Sequence, residues 1–492
     1  MRIALVHYHM RRGGVTSVIT HQAAALMEAG DDVLIISGEP PEGPLVAPWE
    51  SGSAVREIPV AVVDGLKYDR FRKPADPSGS LSKAGQELAE SIEAAMTGLW
   101  GEAADIVHVH NPLIRKTAAL IPALNILNSR GLRLLLQNHD LAEDFRPDVY
   151  VDGGDYPANC HYAVINSRDY SFLHRAGLKL EGLHLIPNEV VPVTATRGLK
   201  RSRYLYPVRA IRRKNIGEAL FVSLFLPKGK TVAVTLPPTT EQDEVIYRNW
   251  VNFARELELP VEFEVGTQGS FADVFGSALA VLNTSVKEGF GFSFLEPWTA
   301  DRAVLGRRID YVCRDFEEAG IRFTSPAKKT DLFYKAINIP MEYIAPPVLK
   351  NKMEHAMTVI YEAFGMEPPS YAIRMMDDMI FSDQMIDFGR LDEELQAGVI
   401  RIMASNNAAY REIRALNPFL AGFADWQSDE ELIAENNRRI REAYGKERIA
   451  AILRQTYQAV ITTPILHKLS KILLLELYLD PLRLSLVGVG HV

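Results

Sequence analysis

The chain has 492 residues, of which 47% are hydrophobic and 24% are charged, and its formal net charge is −8. A chain of this length exceeds what one hydrophobic core usually supports, so we expect two domains with a cleft between them. The negative charge disfavours a nonspecific grip on nucleic acid or anionic lipid, and no long apolar run indicates a membrane span.

The N-terminal segment, residues 1–7, is too short an apolar run for a signal peptide and lacks a small-residue cleavage site. It predicts a first β-strand and a protein that stays in the cytoplasm. The two cysteines, Cys160 and Cys313, lie far apart and form neither a disulfide framework nor a zinc-binding pattern. We therefore expect two reduced thiols.

The first 190 residues alternate short β-branched runs with helical stretches, which predicts a parallel sheet with helices on both faces. The predicted strands are residues 3–6, 33–36, 106–109, 132–136, 163–165 and 183–186. After a linker at residues 191–202, a second series of predicted strands follows at residues 204–208, 231–236, 261–265, 280–282 and 303–305. The predicted fold class is α/β, with two Rossmann-like domains, residues 1–195 and 196–440, facing across a cleft.

From about residue 315 the pattern becomes mainly helical, and residues 429–460 carry apolar positions at helical spacing. An apolar stripe continues through the tail at Ile465, Leu466, Leu469, Ile472 and Leu473. The stripe favours C-terminal helices, residues 441–492, that pack back on the N-terminal domain. A dimer or membrane-contact helix is the alternative, so a homodimer stays open.

The strongest motif is Glu288-Gly289-Phe290-Gly291-Phe292-Ser293-Phe294-Leu295-Glu296, which follows a predicted strand and leads into a helical stretch. Glycines let backbone N–H groups approach a ligand, and a helix N-terminus favours anionic phosphate. Glu288 could accept hydrogen bonds from hexose hydroxyls, and Glu296 could take a ribose diol. The alternative, a solvated acid and a helix acid, loses weight because of the intervening Gly-Phe-Gly.

A second motif, Val208-Arg209-Ala210-Ile211-Arg212-Arg213-Lys214-Asn215, lies where a strand gives way to a helix that Asn215 could cap. Departure of a nucleoside diphosphate builds negative charge on the leaving phosphate, and fixed cations there stabilise the transition state more than the ground state. Arg209 and Lys214 are the candidate cations. For Arg212 and Arg213 a solvated loop position is an equal alternative.

The segment Met10-Arg11-Arg12-Gly13-Gly14-Val15 places a glycine pair directly after the first strand, at the start of the first helix. Its spacing is not G-x-G-x-x-G, so a nicotinamide or flavin dinucleotide is disfavoured. Because ligands of α/β sheets bind at the carboxyl ends of strands, Gly13 and Gly14 are candidate contacts to a ligand. A tight turn is the alternative.

Histidines close two further predicted strands, in His108-Val109-His110-Asn111 and in His139-Asp140. A metal site is disfavoured, because two histidines at i and i+2 lack the remaining ligands. His108 is predicted to be structural, and His139 is the better site candidate.

In this order, these elements resemble the family of retaining nucleotide-sugar glycosyltransferases with the GT-B fold, glycosyltransferase family 4, which includes bacterial glycogen synthases and sucrose-phosphate synthases. The resemblance rests on Gly13-Gly14, the strand ending at Asn111, His139-Asp140, Ile186-Pro187-Asn188, Arg209 with Lys214, and Glu288 with Glu296. The chain departs from the family at Val208 and Glu189, where glycine is usual.

The resemblance implies a metal-independent hexosyltransferase that needs no cofactor, acts by front-face attack and takes a nucleoside-diphosphate sugar as substrate. GDP or UDP is favoured, and the choice between glucose and mannose stays open. The implied donor site consists of Gly13, Gly14, Arg209, Lys214, Glu288, Gly289, Phe290, Gly291, Phe292 and Glu296. The residues implied to be catalytic are Arg209, Lys214, Glu288 and His139, the last beside the anomeric carbon.

The acceptor is predicted to be a small molecule that carries carboxylate or phosphate, because Arg11, Arg12 and Arg146 stand near the first-domain motifs. His110, Asn111 and Asp140 complete that predicted site. Family members that make compatible solutes such as mannosylglucosylglycerate offer an analogy. Surface arginine is an equal alternative for the three arginines.

Two other functions stay open at the level of sequence. One is a GT-B binding or regulatory protein without catalysis, which the presence of Arg209, Lys214, Glu288 and Glu296 disfavours. The other is a GT-B phosphorylase or epimerase, which differs in its co-substrate.

Overall fold

The computed structural model describes residues 1–46, 56–68, 80–150, 154–267, 269–325, 330–381, 384–424 and 426–489, and all structural statements concern these residues. The chain divides into two compact units. Unit 1 comprises Met1–Glu189 and Glu442–Tyr478, and unit 2 comprises Val190–Arg441 and Leu479–Val492. Among the described residues, no helix is both long and apolar enough to cross a membrane. Both cysteines are free and buried.

Unit 1 contains seven strands in its first part. They are β1 (Arg2–His7), β2 (Asp32–Ser37), β3 (Val60–Val62), β4 (Ile106–His110), β5 (Leu134–Asn138), β6 (His161–Val164) and β7 (Leu183–Leu185). The helices between them are α1 (Gly14–Glu28), α2 (Ser80–Trp100), α3 (Leu120–Ser129) and α4 (Ser167–Arg175). The strands form one parallel sheet in the order β3-β2-β1-β4-β5-β6-β7.

The sheet of unit 1 is buried on both faces, which explains why its strands are almost continuously apolar. Successive side chains of β1 point to opposite faces. Ile3 and Leu5 pack in one core cluster, and Ala4 and Val6 pack in the other. The six strands that the sequence predicted in this half are confirmed. The edge strand β3 was not predicted, because three partly exposed residues give no periodic signal.

Unit 2 repeats this architecture. Its strands are β8 (Arg203–Arg209), β9 (Thr231–Leu236), β10 (Val261–Glu262), β11 (Ala278–Asn283), β12 (Val304–Arg307), β13 (Thr324–Ser325), β14 (Thr330–Asp331), β15 (Phe333–Tyr334), β16 (Asn338–Pro340) and β17 (Met385–Asp387). Six of them form a parallel sheet in the order β10-β9-β8-β11-β12-β15. β13 with β14 and β16 with β17 form antiparallel pairs.

The helices of unit 2 are mostly found after residue 310, as the sequence predicted. They are α5 (Ile216–Ser223), α6 (Glu241–Glu256), α7 (Phe271–Gly276), α8 (Phe292–Thr299), α9 (Asp310–Glu318), α10 (Pro346–Ala363), α11 (Ser370–Phe381), α12 (Glu393–Ser405), α13 (Asn407–Leu416), α14 (Ala421–Ala424) and α15 (Glu430–Tyr444), whose last turn passes into unit 1. The α/β class with two Rossmann-like sheets is therefore confirmed.

Two further helices, α16 (Lys446–Thr462) and α17 (Lys471–Tyr478), belong to unit 1. Leu453 of α16 packs in the cluster that contains Ile3, and Leu474 of α17 packs in the cluster that contains Ala4. The two helices therefore cover opposite faces of the first sheet. The predicted apolar stripe divides: Ile465 and Leu469 are buried, whereas Leu466, Ile472 and Leu473 are exposed.

The final segment, Leu479–Val492, lies in unit 2, although the sequence assigned all of residues 441–492 to helices on the first domain. Its backbone carbonyls accept hydrogen bonds from arginine side chains of unit 2. Arg390 Nη1 donates to Leu484 O at 3.1 Å, and Arg212 Nη1 donates to Val489 O at 3.2 Å. Every residue has a backbone carbonyl, whatever its side chain, so the pattern of apolar residues could not predict that this segment is bound by arginines of unit 2.

Candidate functional site

Strand order locates a candidate site in each unit. In both sheets the order reverses beside the first strand of the series, between β1 and β4 in unit 1 and between β8 and β11 in unit 2. In open α/β sheets, ligands bind outside the carboxyl ends of the strands at such a switch point. In unit 2 the residues that follow β8 and β11 include Lys214 and Glu288, the two side chains on which the sequence placed most weight.

The structure brings Lys214 and Glu288 together. Lys214 Nζ donates to Glu288 Oε1, and Arg213 Nη1 donates to Glu288 Oε2 at 2.9 Å. The Glu288 side chain is 7% exposed and that of Lys214 is 13% exposed. Burial alone would raise the pKa of Glu288, but the charges of Lys214 and Arg213 outweigh burial and lower it to about 2. Glu288 is therefore an ionised, buried carboxylate that holds two cations.

The backbone around Lys214 is fixed by side chains from both switch-point strands. The hydroxyl of Tyr206, in β8, donates a hydrogen bond to Lys214 O at 2.6 Å. The hydroxyl of Thr284, just after β11, donates to the same oxygen at 3.2 Å. Asn215 follows in the left-handed region with φ 53° and begins α5. Its side chain does not cap the helix in the predicted sense; Asn215 Nδ2 donates to Glu218 Oε2 at 2.8 Å.

The loop of Glu288 leads into α8 through Gly291. Gly291 has φ 92°, and a Cβ there would lie 2.8 Å from Val312 Cγ1, so this position requires glycine. Phe290 is buried against Phe292 and Phe316. Its side chain therefore belongs to the core, and only the backbone of Gly289, Phe290 and Gly291 is left as a ligand contact.

Glu296 lies within α8, as predicted. Its carboxylate has no ion-pair partner within 4 Å among the described residues, and burial raises its pKa to about 7. A half-buried carboxyl without a cation differs from Glu288, which has two. Such a group can accept hydrogen bonds from neutral hydroxyls.

The three consecutive basic residues 212–214 point in different directions. Arg212 binds Glu393, with Nε to Oε1 at 2.7 Å, and so serves the packing of unit 2. Arg213, for which the sequence gave no preference, joins the Glu288 cluster. Arg209, the last residue of β8, is exposed and donates from Nη1 to Pro237 O at 3.3 Å. It lies at the same edge of the sheet but outside the cluster.

At the switch point of unit 1, Gly13 and Gly14 begin α1 after β1. Gly13 has an extended backbone and no side chain caps the helix. A Cβ on Gly14 would meet nothing within 4 Å, so the space beside this residue is open. Arg11 binds Glu39 through two hydrogen bonds of 2.6 and 2.5 Å, and Arg12 is exposed.

The predicted histidines form a buried cluster beside this switch point. His110 Nδ1 lies 3.0 Å from His139 Nε2, and the two rings stack with 13° between their planes. Burial lowers the pKa of His139 to about 4, against the opposing charge of Asp140. His139 Nδ1 is buried without a hydrogen-bond partner among the described residues. His139 is thus a neutral imidazole with one free ring nitrogen.

Two residues predicted to contact the acceptor are instead enclosed by the fold. His110 is fully buried, so it acts on any ligand only through His139. Asn111 Oδ1 accepts hydrogen bonds from the backbone N–H groups of His139, at 2.6 Å, and Asp140, at 3.2 Å. Asn111 therefore ties the end of β4 to the end of β5. The sequence could not separate these roles, because all four residues end strands at the same edge.

A group of cations also lies at this edge, and the sequence identified it only in part. Arg146 lies 3.5 Å from Asp140, and Lys116 Nζ lies 5.1 Å from the ring centroid of Tyr68. Burial, followed by the charge of Arg146, lowers the pKa of Lys116. Lys116 and Tyr68 were missed because no motif surrounds them. They approach Arg146 only in the folded unit.

The two parallel sheets, each with its own switch point, define the class as α/β with two Rossmann-like units, and the fold is similar to that of the GT-B glycosyltransferases. Among solved structures it is similar to sucrose-phosphate synthase from Thermosynechococcus elongatus, with 15% identity, TM-score 0.52, and 93% of this chain and 98% of that chain covered. Anabaena HepE in complex with UDP and glucose has 11% identity and TM-score 0.52, over 93% and 99% of the chains. These similarities concern the fold.

In amino-acid sequence, the chain is similar to mannosylglucosyl-3-phosphoglycerate synthase from Petrotoga mobilis (strain DSM 10674 / SJ95). It is 26% identical to this chain over 355 residues, which is 64% of this chain and 66% of the relative. The match thus spans just under two thirds of the relative. No family model matches the chain.

Proposed function

We propose that the chain is a retaining glycosyltransferase that moves a hexose, glucose or mannose, from a nucleoside-diphosphate sugar to a small anionic acceptor. The cluster of Lys214, Arg213 and Glu288 at the switch point of unit 2 carries this proposal. It combines two cations for a diphosphate with a carboxylate for sugar hydroxyls. Glu296, an acid without a cation, supplies an acceptor for the ribose diol.

The chemistry follows from charge. In the proposed reaction the bond from the anomeric carbon to the phosphate oxygen breaks, and a bond to the acceptor oxygen forms. The leaving phosphate oxygen takes the acceptor proton on the same face of the sugar, which retains the configuration. Lys214, Arg213 and Arg209 stabilise the charge that develops on that phosphate, so a metal ion is not required.

The proposed acceptor carries phosphate or carboxylate. Lys116, Arg146, Arg11 and Arg12 are four cations near the carboxyl edge of the first sheet. Glu39 pairs with Arg11 and Asp140 with Arg146, and Asp148 and Glu42 lie near Lys116 and Arg11. The name of the Petrotoga relative describes a phosphorylated product. Making that product by one transfer needs a mannose donor and a glucosyl-3-phosphoglycerate acceptor, and we propose this pair as the first reaction to test.

The test is a screen of UDP-glucose, GDP-mannose, GDP-glucose and ADP-glucose against phosphorylated and dephosphorylated acceptors. Release of the nucleoside diphosphate and the mass of the product report turnover, and the anomeric proton signal in NMR reports retention. The same reaction with EDTA tests metal independence. Lys214→Ala should lower kcat by roughly 10²–10³-fold, as for other removed transition-state donors. Lys228→Ala, an exposed lysine of unit 2, is the matched control.

Three results would contradict the proposal. Silence with every nucleotide sugar favours a binding protein without catalysis, and turnover that needs inorganic phosphate favours a phosphorylase. Unchanged turnover in Lys214→Ala removes the proposed leaving-group contact.

For the acceptor, Lys116→Met and Arg146→Met should raise KM for the phosphorylated acceptor and leave KM for the dephosphorylated one unchanged.

A further inference from the structure

Unit 2 contains a polar cavity, here called the basic cavity, with a volume of about 500 Å³. Residues 192–198 of the linker form one wall, and residues 299–302, from the end of α8 onward, form another. Arg302 Nε donates to Ala278 O, at the first residue of β11, at 2.8 Å. The basic cavity therefore lies at the amino end of β11, roughly 17 Å along the strand from the switch-point cluster.

The lining of the basic cavity is strongly cationic. It includes Arg197, Arg201, Arg302 and Arg441, and the one carboxylate in its lining is Asp301. Arg197 and Arg201 are exposed at its mouth. Within the described part of the chain, neither guanidinium has a hydrogen bond or ion pair with the protein. Like charges that line one cavity repel one another, and an anion between them removes this repulsion.

Arg302 adds a buried charge that has no carboxylate in direct contact. Its side chain is 3% exposed, and its hydrogen bonds go to the backbone carbonyls of residues 276, 278, 300 and 301 at 2.8 to 3.2 Å. No carboxylate of the described residues lies within 4 Å of its guanidinium. Burial, and next the charge of Arg201, lower its pKa, against the opposing charges of Asp301 and Glu430. Carbonyl dipoles offset part of this charge, and a counter-ion would offset the rest.

The basic cavity is preformed. The N–H of Val193 donates to Thr299 Oγ1 at 2.8 Å, and the N–H of Thr196 donates to Ala272 O at 2.9 Å, so the linker wall is held in place. The carbonyls after α8 point at Arg302, which keeps their negative ends away from an incoming anion. A volume of this size is typical of sites for small metabolites.

We propose that the basic cavity binds a small phosphate dianion, either a phosphate monoester or inorganic phosphate, separate from the candidate donor site. Arg197 and Arg201 contact the phosphate oxygens, for which the planar guanidinium is well suited. Arg302 contributes its charge from behind. The proposal does not depend on glycosyl transfer, because it needs only the linker, the segment after α8 and Arg441.

The test uses calorimetry and thermal shift with inorganic phosphate and glycerol 1-phosphate, at constant ionic strength in chloride. All measurements are repeated in the Lys214→Ala background, so that phosphate at the candidate donor site does not mask the second site. Arg197→Ala/Arg201→Ala should weaken binding at least tenfold. Arg411→Ala, at an exposed arginine on α13, should leave binding unchanged.

Tighter binding of glycerol 1-phosphate identifies an organic monoester, and tighter binding of inorganic phosphate identifies the free ion. Unchanged binding in the double variant, or no binding to the unsubstituted chain, overturns the proposal.

Discussion

Replacing Glu288 by glutamine should destabilise unit 2 markedly at neutral pH, because the carboxylate is the partner of two buried or half-buried cations. The pKa of this carboxyl falls from an ordinary value of 4.5 to about 2 in the folded protein. A carboxyl with that lowered pKa stabilises the folded state by about 3 kcal/mol at pH 7. The contribution is complete above about pH 4.5 and is lost as the pH falls towards 2, so the two proteins should converge in acid.

The assay is urea unfolding followed by tryptophan fluorescence at pH 7 and at lower pH. Trp298, fully buried in α8, reports the segment that follows Glu288. Glu317→Gln is the matched control. Like Glu288, Glu317 accepts two hydrogen bonds from basic groups, here both from Arg308, but its side chain is 41% exposed. An exposed pair of this kind contributes about 0–1 kcal/mol. If both substitutions cost the same, the buried cluster does not stabilise unit 2 in the way argued.

Two further predictions concern α8 and the helix α1. Gly291→Ala should lower the free energy of unfolding by about 2–4 kcal/mol, because φ is 92° and Val312 Cγ1 lies 2.8 Å from the added Cβ. Gly14→Ala, where the added Cβ meets nothing within 4 Å, should leave the free energy of unfolding unchanged. Equal costs would contradict this assignment. Glu296→Gln should stabilise the chain by about 1–3 kcal/mol above pH 7 and by nothing below pH 4.5, because a pKa raised to about 7 makes ionisation unfavourable in the folded state. Unfolding curves from pH 4 to 8 measure it, and a constant difference would refute the cause given for the raised pKa.

Much of the fold could be predicted because its strands are buried on both faces. A run such as residues 3–6 is apolar at every position, and this signal survives without knowledge of its neighbours. Pairs such as β16 with β17 were missed, because strands of three residues gain their hydrogen bonds from partners far along the chain. The tail at Leu479–Val492 was misplaced for a related reason, since arginines bind its backbone.

The candidate site could be predicted to the level of motifs and not of individual contacts. The sequence singled out Lys214, but Arg212 and Arg213 are adjacent and chemically alike, so it could not tell which of these two arginines also meets Glu288. Their directions are set by the short 3₁₀ turn Arg212–Lys214 and by Tyr206 and Thr284, which hold its backbone. Lys116 and Tyr68 had no motif at all. Tertiary packing, and not local pattern, brings them to the edge of the first sheet.

The cluster in unit 2 also makes a prediction about ligands that separates two roles of Glu288. Without substrate, Glu288 neutralises one of the two charges of Lys214 and Arg213, so a diphosphate must compete with it for these cations. If Glu288 serves mainly the sugar, Glu288→Gln should bind the bare nucleoside diphosphate more tightly, by roughly 3–10-fold, because a competing negative charge is removed.

The same variant should turn over the nucleotide sugar at least tenfold more slowly, because an amide is a weaker acceptor than a carboxylate for the hexose hydroxyls. Calorimetry with UDP and GDP, beside kcat for the sugar conjugates, measures both effects in one protein. Weaker binding of the bare diphosphate together with unchanged kcat would mean that Glu288 only positions Lys214. A repeat in Arg213→Gln shows how much of the effect passes through the second cation.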